Sequence, residues 1–559
     1  MVLDRRPIAR ERAARATHDH RRRAIAGIAV LALAGPVALA ACSADEPNTT
    51  GTSGPATSTT RSSAATSAAE PKAGGTLTVA LSSIPPVLDP YATTLQANWA
   101  TARQVCEPLF DITQDWTAKP MLVDSFTYDE KLTYVIKLRS GVKFHDGSTL
   151  TATDVVSDIA RFVKTPGNGA LLGGNLAGYT ATGDLELTLT LKSPSAIVPT
   201  LLTTMYVMPA SVQNGRGIDD PANDLDCTGP YKLASYETDR EITLVRNDDY
   251  TARTDASDGA TGKKVAYIDE IDFVPMPESS SQVQALQSGQ IDVTSALPLD
   301  TYDTVKSSDK AQALLLSASS GSTVVFNKIQ GVMSDAKMRQ AFLAALDMTQ
   351  VMGAGFGNAD FYELDGSIIP KFNKTWYSTA GLKNYNNPNL DKVKELLKEA
   401  NYTGEKIVWM TTKADPSWYL PAEPATELLK QAGLNIDLEV MDQATLIQRR
   451  TDPTQFDLFS SGIPTYADPV LLPYLQDAFP GGWTNPDKNA LLSKLYTAPT
   501  TEERQQLWGQ LQELIYTDVP FLKFGTNRPL LGVSSRIHFT SPDNLQNAGF
   551  YNTWLDPQD

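Results

Sequence analysis

Between Ser43 and Gly74 the chain holds thirteen Ser/Thr and not one aromatic residue, and no other stretch does more to limit what it can fold into. Thirty-two residues of this kind bury too little apolar surface to offset the entropy of ordering them. They act as a tether of roughly 30 Å by random-coil scaling. They separate a short front from a long body, and only the body has the composition for a core.

The front is of a different kind. Residues 1–41 carry eight Arg against Asp4, Glu11 and Asp19, a formal +5, so the −16 of the whole chain becomes −21 on the rest. Arg21-Arg22-Arg23 leads into an apolar run from Ala24 to Ala41, interrupted by Gly35-Pro36. A basic stretch, an apolar stretch and small residues make a secretory signal, and the Ala, Gly and Pro content makes the run a weak membrane span. Arg22-Arg23 partly resembles a twin-arginine signal, so the export route stays open. Leu39-Ala40-Ala41-Cys42 is similar to a bacterial lipobox, in which Cys42 is lipidated and becomes the new N-terminus. The expectation is a signal peptide over 1–41, lipidated Cys42 with a tether over 42–74, and a body held by lipid at the outer side of the cell membrane, in the periplasm or at the cell surface. No later segment approaches 18 uninterrupted apolar residues, so nothing else is expected to span a bilayer.

The body reads as α/β. A length of 559 residues suggests two to four domains at about 150 residues each. Strict alternation marks strands at Gly75–Leu81, Leu132–Leu138, Leu185–Leu191 and Ile242–Val245. Helical spacing runs from Asp335, an acid that favours the start of a helix, through Leu346, over Leu390–Ala400, which Asn389 can cap, and over Glu502–Tyr516 after Thr500/Thr501. The negative charge excludes a phosphate-backbone binder, which needs a basic face. Three Cys are too few for a disulfide scaffold. No Gly-x-Ser-x-Gly, His-Glu-x-x-His or phosphate-cradling loop occurs, so a secreted hydrolase is the weaker reading and no cofactor is expected. His145 and His538 are the two His beyond the front. Neither sits in a ligand-spaced cluster, and His145, between strand and turn, reads as a structural hydrogen-bonding residue. Gly141 and Gly147 are expected to bracket a short apolar strand, and Asp154 to start a helix.

Short motifs then follow one another in a particular order: Leu88-Asp89-Pro90, Glu107-Pro108-Leu109-Phe110, Tyr134 to Gly147, Leu150 to Val155, Thr228-Gly229-Pro230-Tyr231, Phe326-Asn327-Lys328, Met338-Arg339-Gln340-Ala341, Leu397 to Tyr402, and the Arg504 to Leu522 stretch. The series resembles the family 5 extracellular solute-binding proteins, the peptide-, nickel- or oligosaccharide-binding components of ABC importers, over about 75–555. The resemblance implies a large two-lobed periplasmic-binding-protein-like fold of the peptide-binder type, with a hinge, a ligand cleft and an extra subdomain in the first lobe. It puts lobe I at 75–114, 223–322 and 527–559, the inserted subdomain at 115–222, and lobe II at 323–526. It implies a monomer that captures a small-molecule or peptide ligand and delivers it to permease subunits served by a cytoplasmic ATPase. A surface sensor of the same fold is the other role considered. Cys106 and Cys227 fall in the same lobe of an exported protein, and a disulfide between them is expected.

The resemblance fails at one informative place. Peptide binders of this family carry Trp-x-x-Asp-Tyr-x-(Asp/Glu)-Pro, whose first Asp takes the ligand's α-amino group, a contact worth about 1.5–3 kcal/mol. Here the stretch is Gly462-Ile463-Pro464-Thr465-Tyr466-Ala467-Asp468-Pro469. Gly462 stands at the Trp position and neutral Thr465 at the amine-binding position. Either another carboxylate (Asp415, Glu423 or Asp468) supplies the charge, or the peptide is held elsewhere, or the ligand is an oligosaccharide or another solute without a free amine. The candidate ligand-binding residues are Tyr91, Trp418, Ser461, Ile463, Thr465, Tyr466 and Trp483. Trp418 and Trp483 are included because they lie in turn-rich stretches.

Overall fold

The computed structural model describes residues 70–92, 96–540 and 549–557. The expected signal peptide, Cys42 and most of the tether lie outside the described residues. No described helix is long and apolar enough to cross a membrane. The chain from Ala69 onward forms one compact unit, organised by three larger sheets.

The first sheet has strands Thr76–Leu81, Glu270–Pro275, Glu241–Arg246 and Tyr231–Glu237 in that spatial order. The first pair is parallel and the other two are antiparallel. Alternate residues Leu77, Val79, Ile271, Phe273, Ile242 and Leu244 enter one core, as the two-residue period of a strand requires. The second sheet, Val123–Tyr128, Thr133–Leu138, Glu186–Leu191 and Leu176–Gly183, is antiparallel throughout. Leu187, Leu189 and Leu191 are buried and Thr190 is exposed, so the strict alternation seen in the sequence is an inside–outside alternation. Its core continues without a break into Leu446, Phe459, Trp508 and Phe521.

The third sheet has six strands, ordered Tyr362–Glu363, Phe521–Asn527, Ser320–Phe326, Leu458–Ile463, Ile407–Thr411 and Ile436–Val440. Ile407–Thr411 runs parallel to both neighbours. It reaches Ile436–Val440 through the helix Ala422–Gln431, the crossover a parallel pair needs. The helices read from Asp335, Asn389 and Thr500 run Ala336–Ala345, Leu390–Glu399 and Thr501–Asp518, and each cap side chain accepts a backbone N–H of the first turn.

Two adjacent segments cross between the first and third sheets. Ala311–Leu315 pairs antiparallel with Leu530–Ser534. The chain leaves this ribbon through Leu316–Ser319 into the strand Ser320–Phe326, and returns from Phe521–Asn527 through Arg528-Pro529. A disulfide joins Cys106, just after the helix Gln96–Val105, to Cys227, with Cα atoms 4.9 Å apart.

One expected element is absent. Between Gly141 and Gly147 there is no strand, only a bridge from Lys143 to Thr149. Both glycines have positive φ, and the Gly147 N–H bonds back to Phe144 O while the Leu150 N–H bonds to Val142 O. Left-handed residues at both ends fold the segment into a tight loop before a ladder can extend.

Candidate ligand-binding site

A cleft of about 810 Å³ opens where the first sheet, the two crossing segments and the end of the strand Leu458–Ile463 meet. Val79, Ala80 and Leu81 line it from the first sheet, and Pro464 and Thr465 from beyond the end of Leu458–Ile463. Leu316, Ser319, Ser320 and Pro529 line it from the crossing segments. Trp99, Trp116, Phe273 and Phe550 supply aromatic surface. An apolar lining with a few polar groups, in this size range, is what small-ligand sites present.

Of the seven residues expected to bind ligand, Thr465 lines the cleft. Its Oγ1 donates to Ser319 O at 2.7 Å, tying it to a crossing segment. Ile463 is buried opposite Gly321 in the sheet. Ser461 Oγ lies 2.8 Å from Tyr474 OH in the interior. Tyr466 is half-buried, which pushes its phenol up to about 12, and its carbonyl accepts from Asn373 Nδ2 at 3.2 Å. Trp418 sits on the short helix Pro416–Tyr419. Its indole Nε1 is 3.0 Å from the point a Cβ on Gly462 would occupy, and Ser320 Oγ is 3.6 Å from the same point. The Trp418 indole thus packs against the Gly462 position, close to the cleft-lining Ser320.

Tyr91 and Trp483 are core residues. Tyr91 OH donates to Tyr206 O at 2.6 Å, and its ring packs against Phe162 under the Arg161 guanidinium. Trp483 is 3% exposed and donates from Nε1 to Asp518. The turn glycines Gly481 and Gly482 fold it inward instead of displaying it: a Cβ on Gly481 would lie 2.5 Å from Phe326 O. The acids offered as replacement charges are committed as well. Asp468 forms a buried two-point ion pair with Arg504, at 2.6 and 2.8 Å. Asp415 accepts from the Ser417 N–H at a helix start, and Glu423 accepts from Tyr419 OH.

Among the residues that line the cleft without having been expected are Trp99, Arg103, Trp116, Phe273 and Phe550. Trp99 and Arg103 are four apart on the helix Gln96–Val105, hence on one face. That spacing was the available signal, with no motif to mark it. Behind Arg103 lies a buried polar cluster. Asp111 faces Arg103 at 3.8 Å and Lys264 at 3.5 Å. Glu107 accepts from Tyr250 OH and Thr228 Oγ1, and burial pushes its carboxyl above the usual range. Burial alone would lower the Arg103 guanidinium, but Tyr206, Asp111 and Tyr551 outweigh it and raise it, so Arg103 is charged at any pH the protein meets.

Trp116 overhangs the cleft from a turn and has φ of 61°. Its ring meets Phe372 at 5.8 Å. Next to it, Asp115 pairs with Lys374 at 2.8 Å, and Thr117 Oγ1 lies 3.3 Å from Thr375 Oγ1. These contacts join residues 115–117 to residues 372–375 beside the cleft-lining Trp116. Among the described residues no group of three or more His, Cys, Asp or Glu is placed to hold a metal ion.

Comparison with known proteins places this geometry. The sequence model of the bacterial extracellular solute-binding proteins, family 5 Middle, matches residues 117–481. A probable peptide ABC transporter periplasmic-binding protein of Sinorhizobium fredii is 26% identical over 468 residues, 79% of this chain and 86% of that protein. A glutathione-binding protein of Pectobacterium atrosepticum is 25% identical over 82% of this chain and 90% of that one. Among solved structures, the ABC transporter substrate-binding protein CtaP of Listeria monocytogenes has a TM-score of 0.75 at 21% identity, covering 87% of this chain and all of that one. These structural neighbours have the two-lobed fold.

Proposed function

The chain belongs to family 5 of the bacterial extracellular solute-binding proteins, which serve ABC importers as binding subunits and are not enzymes, and from this premise we propose that it encloses an oligopeptide-like ligand in the cleft and presents it to a permease. The observation that carries this reading is the cleft of about 810 Å³ lined by Val79 to Leu81 from the first sheet, by Pro464 and Thr465 from beyond the end of Leu458–Ile463, and by the two crossing segments. In this reading lobe I comprises 75–114, 223–322 and 527–559, with 115–222 inserted in it, and lobe II is 323–526. Bending at Leu316–Ser319 and Arg528-Pro529 lets the lobes close, the hinge motion such two-lobed binders use. Cys42 anchors the protein by lipid, and 43–74 gives the body reach to meet the permease. Thr465, with Trp418 behind it beside Ser320, contacts the ligand.

Peptide names recur among the relatives, as in the S. fredii protein. The apolar and aromatic lining suits side chains of varied shape. A ligand without a free amine is the second reading, because Thr465 is neutral and its hydroxyl is already bonded to Ser319 O. Native mass spectrometry and solution scattering test both. A bound mass of peptide composition, and a radius of gyration that falls when peptide is added, are expected. A co-purified sugar favours the second reading. Chemical turnover of any ligand, or no change of shape with any, removes the binding-subunit reading.

A further inference from the structure

Among the described residues lining the cleft, Arg103 is the one that carries a charge. Its side chain is 20% exposed, and its sole ion-pair partner among the described residues, Asp111, is 3.8 Å away. It makes no hydrogen bond within the described residues. Arg450 is likewise without a side-chain hydrogen bond among the described residues, but its guanidinium rests over the Phe459 and Phe479 rings. Four other enclosed guanidiniums are paired. Arg161 donates to Gly217 O, Gln213 Oε1 and Asp220 O. Arg339 donates to four main-chain carbonyls, of Met333, Ser334, Asp518 and Val519, and to the Asp518 carboxylate. Arg504 donates to Leu495 O and to both oxygens of Asp468, and Arg536 to Asp292 and Thr76 O. A guanidinium has five donors in a rigid fork, and leaving them unpaired away from water is costly. None of the Arg103 nitrogens is among the sealed, unpartnered atoms, so its free donors are reached from the cleft.

The surroundings do not neutralise it. Asp111 is shared with Lys264, 3.5 Å away on its other oxygen. Glu107 spends its two oxygens on Tyr250 and Thr228. No described carboxylate lines the cleft, so nothing there balances a ligand ammonium. Trp99 and Trp116 flank the same space.

We propose that Arg103 is the docking point for a ligand carboxylate, with the ligand's apolar body held between Trp99 and Trp116, so that the cleft selects acids over their amides. The inference rests on the cleft being the ligand site. The carboxylate can come from a peptide C-terminus or from a non-peptide acid, and two probe pairs separate these sources: N-acetylated Ala-Phe-Leu-Ala with its C-terminal amide, and 3-(indol-3-yl)propionate with its primary amide. Titration calorimetry on the purified full chain is expected to show the acid bound at least tenfold tighter than the amide in one pair or both. Arg103→Gln brings the two within about twofold, and Arg103→Lys keeps part of the difference because a point charge remains without the fork. If Arg103→Gln fails to fold, the acid-to-amide ratio of the unaltered protein decides alone. Preference for the acid in the indole pair, with neither peptide bound, supports the carboxylate site and removes the peptide reading. Acid and amide bound equally in every pair that binds overturn the carboxylate site, and the peptide reading stands if the peptides are among them. A preference that survives Arg103→Gln, or no acid bound in either pair, also overturns it.

Discussion

His145 is a neutral residue by construction. Its Nδ1 accepts from the Cys227 N–H at 3.4 Å and its Nε2 faces Gly229 O at 3.1 Å, so one tautomer satisfies both, and burial pushes the imidazole down to about 4. The unfolded imidazole takes its proton near pH 6.5, which the folded one refuses until about pH 4. Stability is therefore complete above pH 6.5 and falls as pH drops from 6.5 towards 4. With allowance for partial exposure, the loss at pH 5 is about 1–2 kcal/mol. Asp226 runs the other way, since burial raises its carboxyl to about 6. Urea midpoints at pH 7.5 and pH 5 isolate the histidine: His145→Gln should lose less on acidification than the unaltered protein, and an equal loss in both would assign the acid sensitivity elsewhere. At this scale the sequence was legible where a residue satisfies itself locally and opaque where its partner is distant. His145 read correctly as structural. Asp468 looked like a free acid because Arg504, which neutralises it, lies 36 residues on. Arg103 was marked only by its four-residue spacing from Trp99, since what singles it out is a guanidinium with one distant ion-pair partner and no hydrogen bond among the described residues.

The helix Ala152–Phe162 shows how much one capping residue can hold. Asp154 Oδ2 accepts from the Thr151 N–H and hydroxyl, closing a capping box, while Oδ1 accepts from the Ala210 N–H at 2.8 Å. The same carboxylate helps start one helix and fixes the start of another, Ala210–Gln213. Asp154→Ala removes the cap and leaves the Thr151 and Ala210 N–H groups without acceptors, so it should cost about 2–3 kcal/mol. Asp154→Asn, which keeps an acceptor, should cost less than half of that by denaturant titration. Elements with a local cause were readable in advance. The strand Glu186–Leu191 followed from alternation, and Thr501–Asp518 from Thr500 and its apolar spacing. The loop Gly141–Gly147 was not, because apolar residues between glycines suit a strand and a tight loop equally. The cleft was least legible, because Val79, Ser82, Pro529 and Leu531 are residue types found in any core, and it is the crossing of two distant segments that makes them a wall.

For the whole molecule the contact to test is the one between Trp116, which lines the cleft, and residues 372–375. Lys374 and Asp115 are 74% and 49% exposed, and such a pair contributes at most about 1 kcal/mol. The Trp116–Phe372 contact removes apolar surface from water and gains the extra attraction of an aromatic pair, about 0.5–1.5 kcal/mol. Closure should therefore depend on Trp116 more than on Lys374. Stopped-flow release of a bound ligand should speed several-fold in Trp116→Gly and change little in Lys374→Ala. Because glycine relieves the left-handed backbone at 116, the melting temperature of Trp116→Gly should fall little, which separates a gating defect from a folding one. Equal release rates for both variants would remove Trp116 from the gate.

Cys106 and Cys227 are 121 residues apart, and their bond makes the stretch between them a covalent ring that contains the entire second sheet. Closing a ring of that length takes about 4–5 kcal/mol of chain entropy from the unfolded state. A single proteolytic nick inside the ring leaves both pieces fastened at the disulfide, so a cut molecule can persist as one body until it meets a reductant. Additions or losses of length within the ring are likewise absorbed there, since its two ends stay pinned beside the cleft-lining helix Gln96–Val105.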